Sequence, residues 1–339
     1  MAARLAISMK NRPNIAIIGA GISGLACATT LQNTGFNVTI FEKSKGVSGR
    51  ISTRVTEGWQ CDHGAQYFTA SDAQFAAEVQ RWQKAGVAVE WQPRLQVFDG
   101  VNFTEKESTK VRYVGVPRNT APAKFLAQSL NVKVATTINK IERNGSAWQL
   151  LSREHGKLTP QFDALILAIP SPQAQALLQQ PAPTLAAIAA SVIMRGCWAL
   201  MCQFNYPLAL PFDGLFVNNH LLSWVARDSA KPGRNHAANN SETWLLHASS
   251  EWSEAHIEDD AETVAALMLV AFVELGGEMP QSYTAHRWRY AECVDYLKLG
   301  CVWDADLQLG LCGDWLNGGK VQGAWLSGQL LASKLLQTN

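Results

Sequence analysis

The sequence predicts a two-domain α/β protein in which a doubly wound, largely parallel sheet is interrupted by a mainly antiparallel domain. Three observations predict it. A strand, a glycine-rich turn and a helix open the chain, and a second strand then ends on an acid, Glu42. A buried-strand pattern returns at residues 162–170, and a strand ending in Gly313-Asp314 runs into a helix near the carboxyl end. Pieces of one α/β domain thus lie at both ends and in the middle, so the other domain must be inserted rather than appended.

Composition sets the frame. The chain has 339 residues, 47% hydrophobic and 17% charged, enough for one large or two medium globular domains. A formal net charge of +1 supplies no global field for nucleic acid or an anionic membrane, so binding must come from a shaped pocket. No apolar run approaches the roughly 18 residues that span a bilayer. Residues 1–13 hold two Arg and one Lys around a short apolar stretch, Leu5-Ala6-Ile7. That is too weak for a secretory signal and reads as a floppy tail or, less simply, a short organellar presequence. Cys27, Cys61, Cys197, Cys202, Cys293, Cys301 and Cys312 form no C-x-x-C pair and have no histidine at metal-ligand spacing. They read as reduced core cysteines of a cytoplasmic protein, with no metal site expected.

Asn14–Ile18 (NIAII) is a short β-branched run suited to a strand buried on both faces. The turn GAGISG (19–24) follows at once, and residues 25–34 read as a helix. Gly19 permits the tight turn, Gly21 lets backbone approach a pyrophosphate, and Gly24 lets helix and strand pack closely. Ile22 and Ser23 lie in that turn, and the N-terminus of the helix after it points its free N–H groups at the phosphates. The strand Asn37–Phe41 then places Glu42 about twenty residues on, where a carboxylate accepts hydrogen bonds from an adenosine ribose.

This fingerprint does not choose between dinucleotides; three later segments do. After Glu42 and Lys43, a glycine-punctuated stretch ends in Gly49-Arg50, where an arginine can meet the second phosphate. Residues 162–170, including Ala168 and ended by Pro170, bring a buried parallel strand back to the nucleotide domain. The strand at 309–311 leads through Cys312 to Gly313 and Asp314, an acid placed for a sugar-alcohol chain. The helix at 321–336, entered through Lys320 and Val321, would aim its positive end at a flavin's pyrimidine edge. The cofactor expected is therefore non-covalent FAD. Cys312 lies where some flavoenzymes attach the flavin covalently, but a buried hydrophobe is the preferred reading.

Residues 1–69, 119–180 and 287–339 are assigned to the FAD domain, and 70–118 and 181–286 to a substrate domain. Within the latter, 92–116 and 194–248 alternate like antiparallel strands. Residues 73–85 and 261–275 carry helical spacing, with Val264, Leu267, Met268 and Ala271 on one face. The polar loop 228–241 (DSAKPGRNHAANNS) reads as mobile.

These segments, in this order, resemble the FAD-dependent amine oxidase superfamily, and within it the renalase-like branch more than the monoamine oxidases. The stretch CDHGAQYFT (61–69) is similar to the renalase segment after the Gly-Arg motif, as is HRWRYA (286–291) in the later half. Gly313-Asp314-Trp315 with QGAWLSG (322–328), Ala324 included, is similar to the family's closing motif. The resemblance implies a two-domain fold of the amine oxidase and p-hydroxybenzoate hydroxylase type. It also implies that Gln66, Tyr67 and Phe68 run beside the isoalloxazine, that Trp288 helps close the pocket, and that a strand near Val134 passes the adenine. Monoamine oxidases place a lysine that bonds a water at the flavin N5; no lysine here matches it.

Tyr67, Trp288 and His247 are the candidate catalytic residues. Aromatic planes suit a water-poor slot in which a flat substrate stacks, yet each reads equally as a core aromatic. His247 is either a polar contact for substrate or a satisfied core histidine. Arg118, Arg195, Arg287 and Arg289 could rim a phosphate site, or be ordinary surface arginines. The renalase resemblance implies oxidation of the 2- or 6-dihydro isomers of NAD(P)H to NAD(P)+, with O2 consumed and H2O2 released. Amine oxidation on the same scaffold and a non-catalytic FAD-bound protein are the alternatives. The partners expected are a small-molecule donor and O2, with no nucleic-acid polymer and no membrane.

Overall fold

The computed structural model describes residues 12–234 and 241–338. They divide into two compact units. Unit 1 holds the chain up to Gly49, Ala123–Ile193 and everything from Asp295; unit 2 holds Arg50–Pro122 and Met194–Val294. Relative to the expected boundaries, residues 50–69, 119–122 and 287–294 fall in unit 2, and 181–193 in unit 1. The first difference has a plain cause: the hairpin of Thr53–Thr56 and Trp59–Asp62 places Cys61 in a cluster with Ala199, Met201 and Leu245 of the unit 2 sheet.

Unit 1 is built on a six-stranded sheet in the order Val302–Asp304, Leu309–Leu311, Ala164–Leu167, Asn14–Ile18, Asn37–Phe41, Asn131–Lys133. Every neighbouring pair is parallel except the edge strand Val302–Asp304. Ile15, Ala16, Ile17, Leu165, Ile166 and Leu167 are fully buried, which is what a parallel strand covered on both faces requires. The helix Ile22–Asn33 and the closing helix Lys320–Thr338 pack so closely that a Cβ at Gly328 would lie 2.2 Å from the Ser23 carbonyl oxygen.

Unit 2 is built on a seven-stranded sheet in the order Ser282–Cys293, Met194–Phe204, Glu242–Ala248, Leu222–Arg227, Gly214–Val217, Leu95–Phe98, Phe103–Glu105. The expected antiparallel pattern holds with one exception: Leu95–Phe98, which enters from the earlier segment, runs parallel to Gly214–Val217. One face packs Trp198, Leu200, Trp244 and Leu246 against Val264, Met268 and Phe272 of the helix Ala261–Glu274. Asp260 caps that helix by accepting from the Glu262 and Thr263 N–H groups. Leu267 does not share the buried stripe as expected; the seam runs through 264, 265, 268, 269, 271 and 272, which turns Leu267 to the outer face at 41% exposure. The helix Ala73–Lys84, capped by Asp72, buries Phe75, Val79 and Trp82 at i, i+4 and i+7.

The loop at 228–241 corrects the sequence reading. Its first half is a buried, charged structure: Asp228–Ala230 is a short 3-10 turn, and Asp228, Lys231 and Arg234 are buried. Residues 235–240, like the tail at 1–11 with its Leu5-Ala6-Ile7 stretch, lie outside the described residues. Among the described residues no helix is long and apolar enough to cross a membrane.

Candidate functional site

At the carboxyl ends of the unit 1 strands the hydrogen-bond ladder continues by one residue. The Gly19 N–H donates to the Phe41 carbonyl at 2.8 Å, Glu42 to Lys133 at 2.9 Å, Ala168 to Ile18 at 2.8 Å and Cys312 to Leu167 at 3.1 Å. These bonds align Gly19, Glu42, Ala168 and Cys312 along one edge. It is the edge at which open parallel sheets bind ligands, and the strand order reverses there between Asn14–Ile18 and Ala164–Leu167.

The three fingerprint glycines have separate reasons. Gly19 takes φ +105°, and a Cβ there would stand 2.5 Å from the Ala168 carbonyl oxygen. A Cβ at Gly24 would stand 2.1 Å from the Gly19 carbonyl oxygen. Gly21 has nothing within 4 Å of where its Cβ would be. Behind the turn the backbone is closely packed; in front of Gly21 there is room. Gly21 caps the helix Ile22–Asn33 without a side chain, its first turn carries no acid, and the buried Ser23 hydroxyl has no partner among the described residues. An uncapped helix start, an open glycine and an orphaned hydroxyl together fit a pyrophosphate. Ile22 is in the core at 5% exposure.

Glu42 is buried, and its two carboxylate oxygens accept from the Ala20 and Ser44 N–H groups, each at 2.8 Å. Each oxygen keeps a lone pair, as ribose hydroxyls require. Lys43 beside it is exposed. The Ser48 N–H donates to the Ala20 carbonyl at 3.0 Å, and Gly49, at φ +58°, comes so close that its Cβ would lie 3.2 Å from the Gly21 Cα. The half-buried Arg50, at the start of unit 2, donates to the Ala291 carbonyl at 3.1 Å. Val134 is 42% exposed just past Asn131–Lys133. Pro170 caps the helix Ser171–Leu178, whose buried Ser171 hydroxyl also has no partner among the described residues.

At the carboxyl-terminal motif, the Gly313 N–H donates to the Ser327 hydroxyl at 2.9 Å, and that hydroxyl donates to the Gly300 carbonyl at 2.6 Å. Asp314 is buried, and its carbonyl accepts from Asn317 and Gly319 at 3.0 and 2.9 Å. The Trp315 indole N–H donates to the Ile169 carbonyl at 3.1 Å, tying this turn to the middle strand. Lys320, exposed and at φ +63°, opens the closing helix; Val321 is buried and Ala324 half-buried behind it. Cys312 is fully buried. The Cys27 thiol, hydrogen-bonded to Cys312 and buried, is raised well above its ordinary value.

In unit 2, His247, Ala199 and His286 stand on one rung of the sheet and therefore on one face. Trp288 lies two residues along from His286, on that same face. The Trp288 indole N–H donates to the His63 carbonyl at 2.9 Å, and the His247 Nε2 meets the same oxygen at 3.2 Å. The His63 ring stacks on Trp288 with centroids 5.1 Å apart and meets His286 edge-on at 4.7 Å. Burial pushes all three imidazoles down: His63 to about 3, with His286 and Arg54 adding to the effect, and His247 and His286 to about 4. All three are neutral at pH 7.

The expected residues of the 66–68 segment separate. Gln66 is buried, donating to the Gly64 carbonyl at 3.1 Å and to the Asp62 carbonyl, and accepting from Lys231 Nζ at 3.2 Å. Tyr67 is half-buried, 6.1 Å from Trp91 and 6.0 Å from Trp224, with the Arg112 guanidinium 5.2 Å from its ring. Phe68 is taken up by the unit 2 core, edge-on to Trp82 at 5.6 Å and stacked on Tyr113 at 5.9 Å.

Sequence reasoning missed the ionic cluster beneath this segment. The Asp62 carboxylate accepts from Thr53 at 2.6 Å, Asn119 N–H at 3.2 Å, Lys231 at 3.1 Å and Arg234; Lys231 also donates to Asp228 at 2.7 Å. Burial alone would raise the Asp62 carboxyl, but Lys231 and Arg234 hold it at about 2. The polar, glycine- and proline-containing composition that suggested a mobile loop concealed two buried cations. His63, His286 and Arg54 were also missed, although His63 sits inside the CDHGAQYFT stretch.

Residues 17–81 match the family model described as an NAD(P)-binding Rossmann-like domain. The 4,4'-diapophytoene desaturase (4,4'-diaponeurosporene-forming) of Staphylococcus haemolyticus (strain JCSC1435) is 34% identical over 97 residues, 29% of this chain and 19% of that protein. The chain spans less than a third of the length of the first curated relatives it matches. Putrescine oxidase bound to putrescine has the same fold at TM-score 0.74 and 14% identity, covering 96% of this chain and 99% of that one. Cyclohexylamine oxidase of Brevibacterium oxydans IH-35A superposes at TM-score 0.72 and 11% identity, with 96% and 99% coverage. The glycine fingerprint thus lies inside the Rossmann-like match, and over nearly its whole length the chain has the fold of putrescine oxidase and cyclohexylamine oxidase.

Proposed function

We propose that the protein is an FAD-dependent oxidase of the renalase-like kind, acting on the 2- or 6-dihydro isomers of NAD(P)H. The donor loses one hydride and leaves as NAD(P)+; O2, with that hydride and a solvent proton, leaves as H2O2. FAD, when bound, supplies the hydride acceptor and the route for two electrons to O2. Gly19, Gly21, Ser23 and the helix start behind them would hold its pyrophosphate, with Arg50 on the second phosphate and Glu42 on the ribose. Gly49 closes against the glycine turn; Asp314 would take the sugar-alcohol chain, and the start of the closing helix the pyrimidine edge. Unit 2 would hold the donor, with Trp288 and Tyr67 as aromatic surfaces and Gln66 fixed by Lys231. Its seven free cysteines suit a reducing compartment such as the cytoplasm.

The observation that carries this reading is the neutrality of the imidazoles around Trp288. A group held at about 3 or 4 is too weak a base to take a proton efficiently at pH 7. Hydride loss from an electron-rich dihydropyridine carbon needs no base, and the His63–Trp288 stack offers a flat surface to such a ring. Anaerobic mixing of the FAD-loaded protein with each isomer tests it: rapid bleaching by the 2- or 6-dihydro forms and slow bleaching by ordinary NADH is expected. Equal rates, or none, would overturn it.

The fold shared with putrescine oxidase and cyclohexylamine oxidase favours a second reading, oxidation of a primary or secondary amine. Peroxide formation across an amine panel, without turnover of the dihydronicotinamides, would select it. A bound flavin that no donor reduces would leave a binding protein instead.

A further inference from the structure

We infer that Arg54 and His286 form an anion-recognition subsite in unit 2, beside the His63–Trp288 stack, for a planar donor that carries a phosphate. The inference deepens the proposed function and rests on its dinucleotide-type donor for the identity of the ligand.

The four arginines that the sequence offered for a phosphate rim are otherwise engaged. Arg195 pairs with Glu251, Arg287 and Arg289 pair with Glu258, and Arg118 donates to the Gln60 side chain. Arg54 differs. It is half-buried, and among the described residues no carboxylate stands within ion-pair distance of it. Among the described residues its side chain makes one hydrogen-bond contact, to an imidazole, His286 Nδ1, at 3.3 Å. Its positive charge is therefore left for something else to neutralise.

The contact also fixes chemistry. A guanidinium has only donors, so Nδ1 of His286 must offer its lone pair, and the imidazole proton must stand on Nε2. A carbonyl only accepts, so His247 Nε2 carries a proton toward the His63 oxygen. Arg54 and His286 thus present N–H groups and one net positive charge. Within the same cluster His63, 6% exposed, keeps an Nδ1 with no hydrogen-bond partner among the described residues. Its plane is set by the stack on Trp288, whose indole N–H is itself held by the His63 carbonyl. The hairpin explains the placement: Arg54 pairs across from Cys61, and Cys61 is packed into the sheet face that bears Ala199 and Trp288. A fork of donors beside a flat aromatic face is the arrangement that recognises a phosphate attached to a heterocycle.

The test is binding to the FAD-loaded protein of nicotinamide mononucleotide and of nicotinamide riboside, which share the ring and differ by the phosphate. Wild type is expected to bind the mononucleotide at least about 10-fold more tightly. Arg54→Met should abolish that preference while leaving riboside affinity unchanged, and Arg54→Lys should retain part of it. Arg289→Met, which removes a surface partner of Glu258, should leave it intact. Absence of a phosphate preference in wild type, or its survival in Arg54→Met with an unchanged flavin spectrum, overturns the subsite. Should the preference behave as expected while no dihydronicotinamide bleaches the flavin, the subsite stands and the proposed reaction falls.

Discussion

The carboxylate of Glu42 accepts the Ala20 backbone N–H at 2.8 Å, so the acid at the end of the second strand holds the glycine turn at the end of the first. Its other oxygen accepts from Ser44, also at 2.8 Å. Glu42→Gln keeps the shape but turns an NH2 group toward one of those two N–H donors. One buried bond is lost and two donors oppose each other, a cost of about 1–3 kcal/mol. Lower thermal stability and a purified protein with less bound flavin, measured from its visible absorbance, are the expected outcomes. Full flavin content in this variant would show that the acid serves the turn alone.

Gly21 and Gly24 should separate ligand space from packing space. Alanine at Gly24 would drive a methyl to 2.1 Å from the Gly19 carbonyl, where only backbone can yield, and should prevent folding of unit 1. Alanine at Gly21 meets nothing within 4 Å. Gly21→Ala is therefore expected to fold with a near-native circular dichroism spectrum and to lose FAD affinity by about tenfold or more in a flavin titration. Unchanged affinity would mean that the room at Gly21 is not occupied by the dinucleotide.

Removing the Lys231 ammonium should be among the most damaging single changes in unit 2. Lys231 is fully buried between Asp62 and Asp228, at 3.1 and 2.7 Å. Lys231→Met leaves those carboxylates with Arg234 as their only close cation among the described residues, and breaking such a buried pair typically costs about 3–5 kcal/mol. Urea unfolding should show it as a lower midpoint with an unchanged slope. A loss below about 1 kcal/mol would mean that the cluster is hydrated or that Asp228 takes up a proton in the variant.

The legibility of this chain follows the range of the interactions involved. The nucleotide unit is written in short segments, because each glycine answers to neighbours within its own strand–turn–helix unit or to one strand alongside. Gly19, Gly24 and Glu42 could be read without any knowledge of unit 2. The ionic cluster could not, because Asp62 and Lys231 are 169 residues apart and neither lies in a periodic pattern. The loop at 228–234 has the polar composition of a solvent-exposed turn; only the arrival of Asp62 converts it into buried structure. Leu267 went astray for a smaller reason, since one residue of error around a helix rotates a side chain by about 100°.

The histidines give a pH dependence with a definite sign. An unfolded imidazole titrates near 6.5, whereas burial holds His63 at about 3 and His247 at about 4 in the folded protein. Above about pH 6.5 both states are neutral and stability does not change. Below it the unfolded chain binds protons that the native state refuses, so stability falls as pH drops from about 6.5 toward 4. Each site contributes up to about 1.4 kcal/mol per pH unit. Asp62, held at about 2, adds its own loss only below about pH 4. Urea midpoints should therefore be level from pH 8 to 7 and decline from pH 6 to 5, and His247→Gln should flatten the decline. A level profile down to pH 5 would show that these imidazoles protonate in the native state.

The same neutrality makes a kinetic statement about His247. Its Nε2 N–H is directed at the His63 carbonyl at 3.2 Å, and a glutamine amide can donate to that oxygen in its place. If His247 accepted a proton from the donor, Glu or Gln in its place would behave oppositely, and loss of the base would slow flavin reduction by about 10²–10⁴-fold. If it only fixes the His63 backbone and the Trp288 plane, His247→Gln should reduce the flavin within about threefold of the wild-type rate. His247→Ala, which removes the hydrogen bond, should weaken donor binding more than it slows reduction. Stopped-flow bleaching at several donor concentrations separates the limiting rate from the affinity. A collapse of the limiting rate in His247→Gln, with bound flavin intact, would restore His247 as the base and revive amine chemistry for this fold.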